Sequence, residues 1–419
     1  MKWEDKGKLF RHSVFMFCAA SVGHICNLLF QLIVGRTLSK EEFSIFASLI
    51  ALLNIVGKPL GAIGLSIAHY VACMVQIGCQ ANARCLVVRW LVRMTGVGLL
   101  LLVFGILFAE PISAALHLKR ATPVIIISIV SLGLFCSPVI SGTLQGLQQF
   151  RWMMVTSQLG SIIRVIATLF FVVCMAPAAG WAILGHGVGI YVSFLLGLFV
   201  IYAVMKRGED PSSQPPSMGM YIIQAFGILW AYATLMTSDV VLVQHYLPEE
   251  SGSFAYAAQI ARIVVFLPSA VATAMFPKVA ASGETTNDHY SLLIRSVMYT
   301  LYGVVPFVLV CNLFPGIPLW IFFKVSEPDI HVLNLIRVMT WAMVPVALIN
   351  VIIHFQLAQK RFVIVSPVIF CALGYLGCVW LWHGSVWHVA VSCAVFGCLC
   401  LLISVWFTFR LKRASVSTH

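Results

Sequence analysis

The sequence predicts an all-α polytopic membrane protein: about twelve transmembrane helices in two pseudo-symmetric six-helix lobes around a central cavity. Three observations carry that expectation. Hydrophobic residues make up 61% of the 419 positions and charged residues only 10%, where soluble domains carry roughly 25% charge, so a water-soluble fold is excluded. Apolar runs of about 20 residues, the length a helix needs to cross the hydrocarbon layer, recur about twelve times. The second half of the chain also echoes the first.

Uncharged apolar runs bounded by charge, Pro or Gly place the first six spans near 13–34, 44–66, 88–109, 122–145, 153–175 and 181–204. The next six fall near 220–245, 253–275, 293–315, 331–353, 362–382 and 387–409. The opening MKWEDKGKLFRH superficially resembles a secretory signal. The apolar stretch behind it runs about 22 residues and lacks a small-residue cleavage site, so it is expected to stay as the first span. IPLWIFFKV (Ile317 to Val325) is too short to cross and is expected to lie in the outer interface.

Between the sixth and seventh runs lies RGEDPSSQPPS (Arg207 to Ser217), rich in Pro, Ser and charge. It reads as a cytoplasmic linker over 207–218, joining an N-terminal lobe (1–206) to a C-terminal lobe (219–419). Leu38 in TLSKEEFSIFA and Leu247 in YLPEESGSFAYA are 209 apart, and so are Pro59 and Pro268. Each pair marks an acidic hairpin turn leading into a proline-bearing span. Equivalent helices therefore start on the same side, and the repeats are parallel about the membrane normal.

The 26 Lys and Arg against 14 Asp and Glu give +12. With the N-terminus inside, seventeen of these cations, Lys2, Arg84, Arg151 and Arg410 among them, fall in cytoplasmic segments, and five fall outside. That bias puts both termini in the cytoplasm and makes lipid, not nucleic acid, the cause of the basicity. Trp380, Trp382 and Trp387 cluster at the outer end of the last hairpin, where an aromatic belt belongs. The thirteen cysteines lie mostly in apolar runs, with no CxxC pair and no Cys/His array at zinc spacing, and are read as packing residues.

Four cations remain inside the spans: Lys58, Arg164, Arg262 and Arg337. Each costs at least about 2.5 kcal/mol in hydrocarbon unless it meets water, a partner or a ligand. Lys58 lies about 14 residues into its span, roughly 21 Å deep at 1.5 Å per residue. Asp239 is the one intramembrane acid, so it cannot neutralise all four. Lys58 and Arg262 are expected to face the lumen and contact an anion. Arg337, near an outer end, is expected to snorkel. Arg164 could pair with Asp239 or a helix carbonyl, and Asp239 could form a salt bridge to Arg164 or Arg262, or titrate.

Pro59 and Pro268 each remove a backbone donor within a span, and Gly57 and Gly61 loosen the first of these sites further, as helix breaks that line a cavity do. Ordinary kinking in a packed bundle is the alternative. His24 and Asn27, one turn apart on the first helix, could face the same cavity or hydrogen-bond between helices. His186 stands among Gly185, Gly187 and Gly189 and is read as a packing position.

There is no G-x-x-x-x-G-K-[ST] phosphate loop, and the loops are too short for the catalytic segments of a membrane glycosyltransferase. The chain is expected not to be an enzyme and to need no cofactor and no metal. The signature of the major facilitator transporters is also missing.

GRTLSKEEFSIFASLIALLNIVGKPLGAIGLS (Gly35 to Ser66), GTLQGLQQF (Gly142 to Phe150) and SDVVLVQHYLPEESGSFAYAAQIARIVVFLPSAVATAMFPKVA (Ser238 to Ala280) resemble the polysaccharide transporter family. These are the Wzx-type oligosaccharide flippases of the multidrug/oligosaccharidyl-lipid/polysaccharide superfamily. The resemblance implies an alternating-access flippase that moves a polyprenyl-diphosphate-linked oligosaccharide across the bacterial inner membrane for surface polysaccharide synthesis. Its partners would be that lipid-linked glycan, membrane lipids and the polysaccharide polymerase machinery. Relatives that flip the peptidoglycan precursor carry cavity arginines on helices 1, 2 and 8. Lys58 and Arg262 stand at comparable places on helices 2 and 8, while helix 1 offers only His24 and Asn27. Arg164 and Asp239 match positions where family members often carry charge. Two other readings stay open: a multidrug/cation antiporter of the same superfamily, which calls for lumenal carboxylates, and a non-transporting membrane scaffold subunit.

Overall fold

The structure, a computed structural model, describes residues 22–76, 78–205, 219–280, 287–359 and 362–416. The expected linker at 207–218 and the basic N-terminal tail lie outside the described residues. Among the described residues all regular structure is helical. Helix α1 covers 22–37. It is followed by α2 (Lys40–Gly57), a 3-10 turn (Lys58–Leu60), α3 (Gly61–Gln76), α4 (Gln80–Leu107), α5 (Ala109–Ala115), α6 (Thr122–Gly146), α7 (Phe150–Phe170) with a π-helical end (Phe171–Met175), and α8 (Ala179–Val204). The second half holds α9 (Gly219–Tyr246), α10 (Ser251–Ala280), α11 (Asn287–Leu313), α12 (Gly316–Phe323), α13 (Ile330–Ala358), α14 (Val365–Leu381) and α15 (Val386–Val416).

The twelve expected spans each fall on a helix, with α2 and α3 together forming the second. Nine helices among the described residues are long and apolar enough to cross a membrane. The chain is a multi-pass membrane protein. Outward rows such as Leu99, Leu100, Val103 and Leu107 on α4 are exposed, as lipid-facing side chains are in a protein whose solvent is hydrocarbon.

Local chemistry sets several helix ends. Ser39 Oγ accepts from the Glu42 backbone N–H at 3.2 Å, which is the first half of a capping box opening α2. The Glu42 carboxylate, instead of folding back, accepts from the Ala179 N–H at 2.7 Å and so caps α8 as well. Asp329 Oδ1 accepts from the His331 N–H at 3.0 Å and caps α13. Lys324, in the left-handed region at φ 55°, ends the short helix formed by IPLWIFF.

The internal repeat extends to the order of elements. The run α4 to α8 is matched by α11 to α15, including a short helix, α5 or α12, directly after the third span. Pro138 and Pro345, 207 residues apart, lie inside α6 and α13, the most extensively packed helices of their halves.

By its own contacts the chain divides into two units. The first is Met1–Phe46 with Leu60–Ile222; the second is Ala47–Pro59 with Ile223–His419. The chain thus passes from the second unit back to the first within the 3-10 turn at Lys58–Leu60. In the first unit α6 packs on α3, α4 and α8, and α7 lies along α8. Glycines permit these approaches: a Cβ on Gly142 would collide with the Gly64 carbonyl, so α3 and α6 meet backbone to backbone, the small-residue packing that serves where no hydrophobic force drives helices together. Gly185, Gly187 and Gly189 of α8 meet Thr168, Val130 and Arg164, which fills the neighbourhood of His186. In the second unit α13 is the central helix, packed against α10, α11 and α15.

Candidate substrate-contacting site

One helix break and two of the four intramembrane cations, Lys58 and Arg262, meet on α9. Helix α2 stops at Gly57, α3 restarts at Gly61, and Lys58 and Pro59 form the turn between them. A glycine on each side and a proline that cannot donate make continuation of an α-helix unfavourable here. The turn projects Lys58 onto α9: its Nζ lies 2.6 Å from Met236 Sδ and 5.2 Å from the Tyr232 ring centroid. No carboxylate stands within ion-pairing distance of this ammonium among the described residues. Pro268 lies in α10, which runs without interruption from Ser251 to Ala280; its side chain is outside the described ones.

Arg262 reaches the same turn of α9. Its Nε donates to the Met236 carbonyl at 3.2 Å, and Nη2 donates to the Thr237 carbonyl at 3.5 Å and to Asp239 Oδ1. Arg262 is buried, as is Asp239. Asp239 Oδ1 also accepts from the Val240 N–H at 2.9 Å. Of the two cations open to Asp239 in the sequence, the fold selects Arg262. The Nε and Nη2 donors of Arg262 are turned into the helix, onto a carboxylate and two carbonyls. Ser48 Oγ donates to the Val240 carbonyl at 3.3 Å and Cys393 Sγ approaches the Leu235 carbonyl at 3.9 Å, so donors from α2, α10 and α15 converge on one stretch of α9.

The other charged group lies in the first unit. Arg164 on α7 donates to Asn27 Oδ1 at 3.4 Å and stacks over the Phe30 ring at 4.8 Å. Phe30 also meets the His186 ring at 5.6 Å. Arg164 has no acidic partner among the described residues, and its buried Nε has no acceptor. His24, a turn before Asn27, is exposed. Arg337 does not need to snorkel: its Nε donates to the Asn312 carbonyl at 3.0 Å and Nη1 to Asn334 Oδ1 at 2.6 Å. A cation there answers the unpaired carbonyls and negative dipole end of α11.

Six site residues from the sequence thus fall into two groups and one outlier. Lys58, Arg262 and Asp239 share Met236 and its neighbours; Asn27 and Arg164 touch each other; His24 stands apart. Tyr232 and Met236 were not legible as site residues. Tyr232 precedes Asp239 by seven positions, two helical turns, so a face-by-face reading of α9 would have paired them. Among the described residues no group of three or more His, Cys, Asp or Glu could hold a metal ion.

Repeated helical units, an interrupted span and charge gathered on a buried helix face define a multi-pass helical membrane protein. No family model matches the chain, and no curated protein does. Solved structures do. An inward-facing multidrug-resistance MATE transporter of the MOP superfamily superposes with a TM-score of 0.73 at 12% identity, over 95% of this chain and 96% of that one. The lipid II flippase MurJ, in an inward closed conformation, gives 0.68 at 14% identity over 94% and 87%. A MOP superfamily transporter from Pyrococcus furiosus, described as having a binding pocket of reverse polarity, gives 0.65 at 14% over 96% and 95%. The chain has the fold of these MOP superfamily transporters.

Proposed function

We propose that this protein is a flippase of the polysaccharide transporter family, moving a polyprenyl-diphosphate-linked oligosaccharide across a bacterial inner membrane by alternating access, without chemical transformation. The observation that carries the reading is the contrast between the two cations that contact α9. Arg262 is neutralised by Asp239, whereas the Lys58 ammonium is held by a thioether and a ring face and has no counter-charge among the described residues. An unneutralised cation in a span is costly, and a diphosphate is an anion of the right sign and size to compensate it. Arg164 adds a second cation without an acid among the described residues.

The same contrast disfavours the cation antiporter. Asp239, which that mechanism would load and unload, is already occupied by a tethered guanidinium. The fold shared with MurJ supports movement of a lipid-linked substrate, and that shared with MATE transporters supports alternating access.

The test is charge at position 58, read as glycan export in cells alongside membrane abundance. Lys58→Arg should retain export, Lys58→Ala should reduce it about ten-fold or more, and Lys58→Glu should abolish it, all with normal insertion. Equal export from the Ala and Glu variants at wild-type level would defeat the proposal.

A further inference from the structure

Helix α4 carries a stripe, charged at one end and apolar at the other, that faces away from the rest of its unit. Arg89, Arg93, Gly96, Leu100, Val103 and Leu107 follow one another at alternating intervals of four and three residues, so at 100° per residue they stay on one face of the helix. All six are exposed, Leu100 by 69% and Leu107 by 72%. The opposite face is the one that packs. Val87, Met94, Gly98 and Gly105 are buried, and a Cβ on Gly98 or Gly105 would collide with Leu132 or Ser128 of α6. A Cβ on Gly96 would meet nothing within 4 Å, which leaves a notch in the stripe between the arginines and the leucines.

The length of the apolar part sets the depth of the charges. Residues 94–109, between Arg93 and Glu110, are uncharged and make about 24 Å of helix at 1.5 Å per residue. The hydrocarbon layer is about 30 Å thick, so Arg93 is drawn to the level where the headgroup phosphates begin. Trp90, whose ring lies 5.6 Å from the Arg93 guanidinium, is the kind of side chain that belongs at that level. Neither arginine has an acidic partner among the described residues, whereas the exposed Lys119 is paired with Glu41. A guanidinium binds a phosphate through two parallel donors, and one helical turn between Arg89 and Arg93 lets both reach a single headgroup.

We infer that this face of α4 is a binding site for an anionic glycerophospholipid, with the phosphate on Arg89 and Arg93 and an acyl chain along Gly96, Leu100 and Val103. From Arg93 to Val103 the stripe runs about 15 Å, half of the hydrocarbon layer and so the reach of a chain from one leaflet. The leaflet is the one at the Gln80 end of α4, the side to which the sequence assigns most of its Lys and Arg and the side on which anionic lipid gathers basic residues. Basicity alone does not make the site: Arg84, five residues before Arg89, is turned about 140° off the stripe and is partly covered. A zwitterionic lipid offers the same chains, but its own ammonium competes for the phosphate, so the arginines select a net negative headgroup. The site requires only that α4 span a membrane and is independent of what the protein transports.

The experiment uses the full chain purified in a non-ionic detergent, with retained lipid counted by native mass spectrometry and the thermal unfolding midpoint as a second readout. The probes are phosphatidylglycerol, phosphatidylcholine with the same acyl chains, and inorganic phosphate. Wild type should retain phosphatidylglycerol over phosphatidylcholine by about ten-fold or more. Phosphatidylglycerol should raise its midpoint, and inorganic phosphate at the same concentration should not, because it brings no chain for the stripe. Arg89→Gln combined with Arg93→Gln should lose both the preference and the rise while keeping the lipid-free midpoint, since both side chains are exposed. Arg151→Gln combined with Arg410→Gln, which removes two other exposed arginines from the side expected to be cytoplasmic, should keep both. Equal retention of the two lipids by wild type, or a preference lost equally from the Arg151 and Arg410 variant, would overturn the site in favour of diffuse surface charge. A midpoint raised as much by inorganic phosphate as by phosphatidylglycerol would refute the lipid seat as well.

Discussion

Arg262 and Asp239 form an ion pair in which the side chains are 6% and 0% exposed, and the guanidinium is bound at the same time to the Met236 and Thr237 carbonyls. The arginine therefore ties the first half of α10 to the second half of α9 through charge and backbone together. Met236 is the hinge of the arrangement, since its carbonyl accepts from Arg262 while its sulfur receives the Lys58 ammonium.

Removing one member of the pair should be far worse than removing both. Arg262→Met leaves a buried carboxylate without its cation and should destabilise the protein by about 3–5 kcal/mol. The double variant Arg262→Met with Asp239→Leu should recover most of that loss. Thermal unfolding in detergent micelles measures both; a double variant as unstable as the single would show that the helix carbonyls, not the carboxylate, hold the arginine.

At Gly189 an added methyl would lie 2.6 Å from the Gly160 carbonyl and 2.6 Å from Arg164 Cβ. Gly189→Ala should force α7 from α8, lowering stability by about 1–3 kcal/mol and shifting Arg164 away from Asn27. Accessibility of a cysteine placed at Asn27 to a thiol reagent reports the shift; unchanged labelling and an unchanged midpoint would contradict it.

Glu42 and Glu41 are neighbours with different expected weights. Glu42 caps α8 through the Ala179 N–H, and Glu42→Ala should cost about 1 kcal/mol, with Glu42→Gln losing less because an amide oxygen still accepts. Glu41 pairs with Lys119 at 3.6 Å on a surface where both side chains are at least 80% exposed, so Glu41→Gln should leave the unfolding midpoint unchanged.

Phe30 contributes a ring face to Arg164 at 4.8 Å. Phe30→Leu keeps most of the apolar volume and removes the quadrupole, a loss of about 1 kcal/mol. If the arginine serves an anion, Arg164→Gln should reduce export more than Phe30→Leu does, because the ring only positions the charge. Export assays on the two variants at matched membrane abundance decide this, and the reverse order would make the arginine a packing residue.

The fold was largely legible because its causes are local or periodic. Span length, charge-free runs and the 209-residue echo follow from what a bilayer demands of any backbone, and Gly57, Pro59 and Gly61 mark an interruption by their own conformational limits. The site was legible only as a set of residue types. Lys58 and Met236 are 178 positions apart, and nothing in the sequence distinguishes an arginine that will find Asp239 from one that will rest on Phe30. Tyr232 and Asn350 look like ordinary polar punctuation in apolar helices; that they hydrogen-bond to each other is visible only once their neighbours are in place.

By itself, then, the chain determined that it must be helical, membrane-spanning and duplicated, since hydrocarbon leaves an apolar polypeptide with internally hydrogen-bonded helices. Tertiary structure alone decided which cation is neutralised. Electrostatic pairing inside a membrane depends on distance and burial, not on composition, and only the packing of α2, α9 and α10 commits Arg262 to Asp239 while leaving Lys58 without an acid among the described residues.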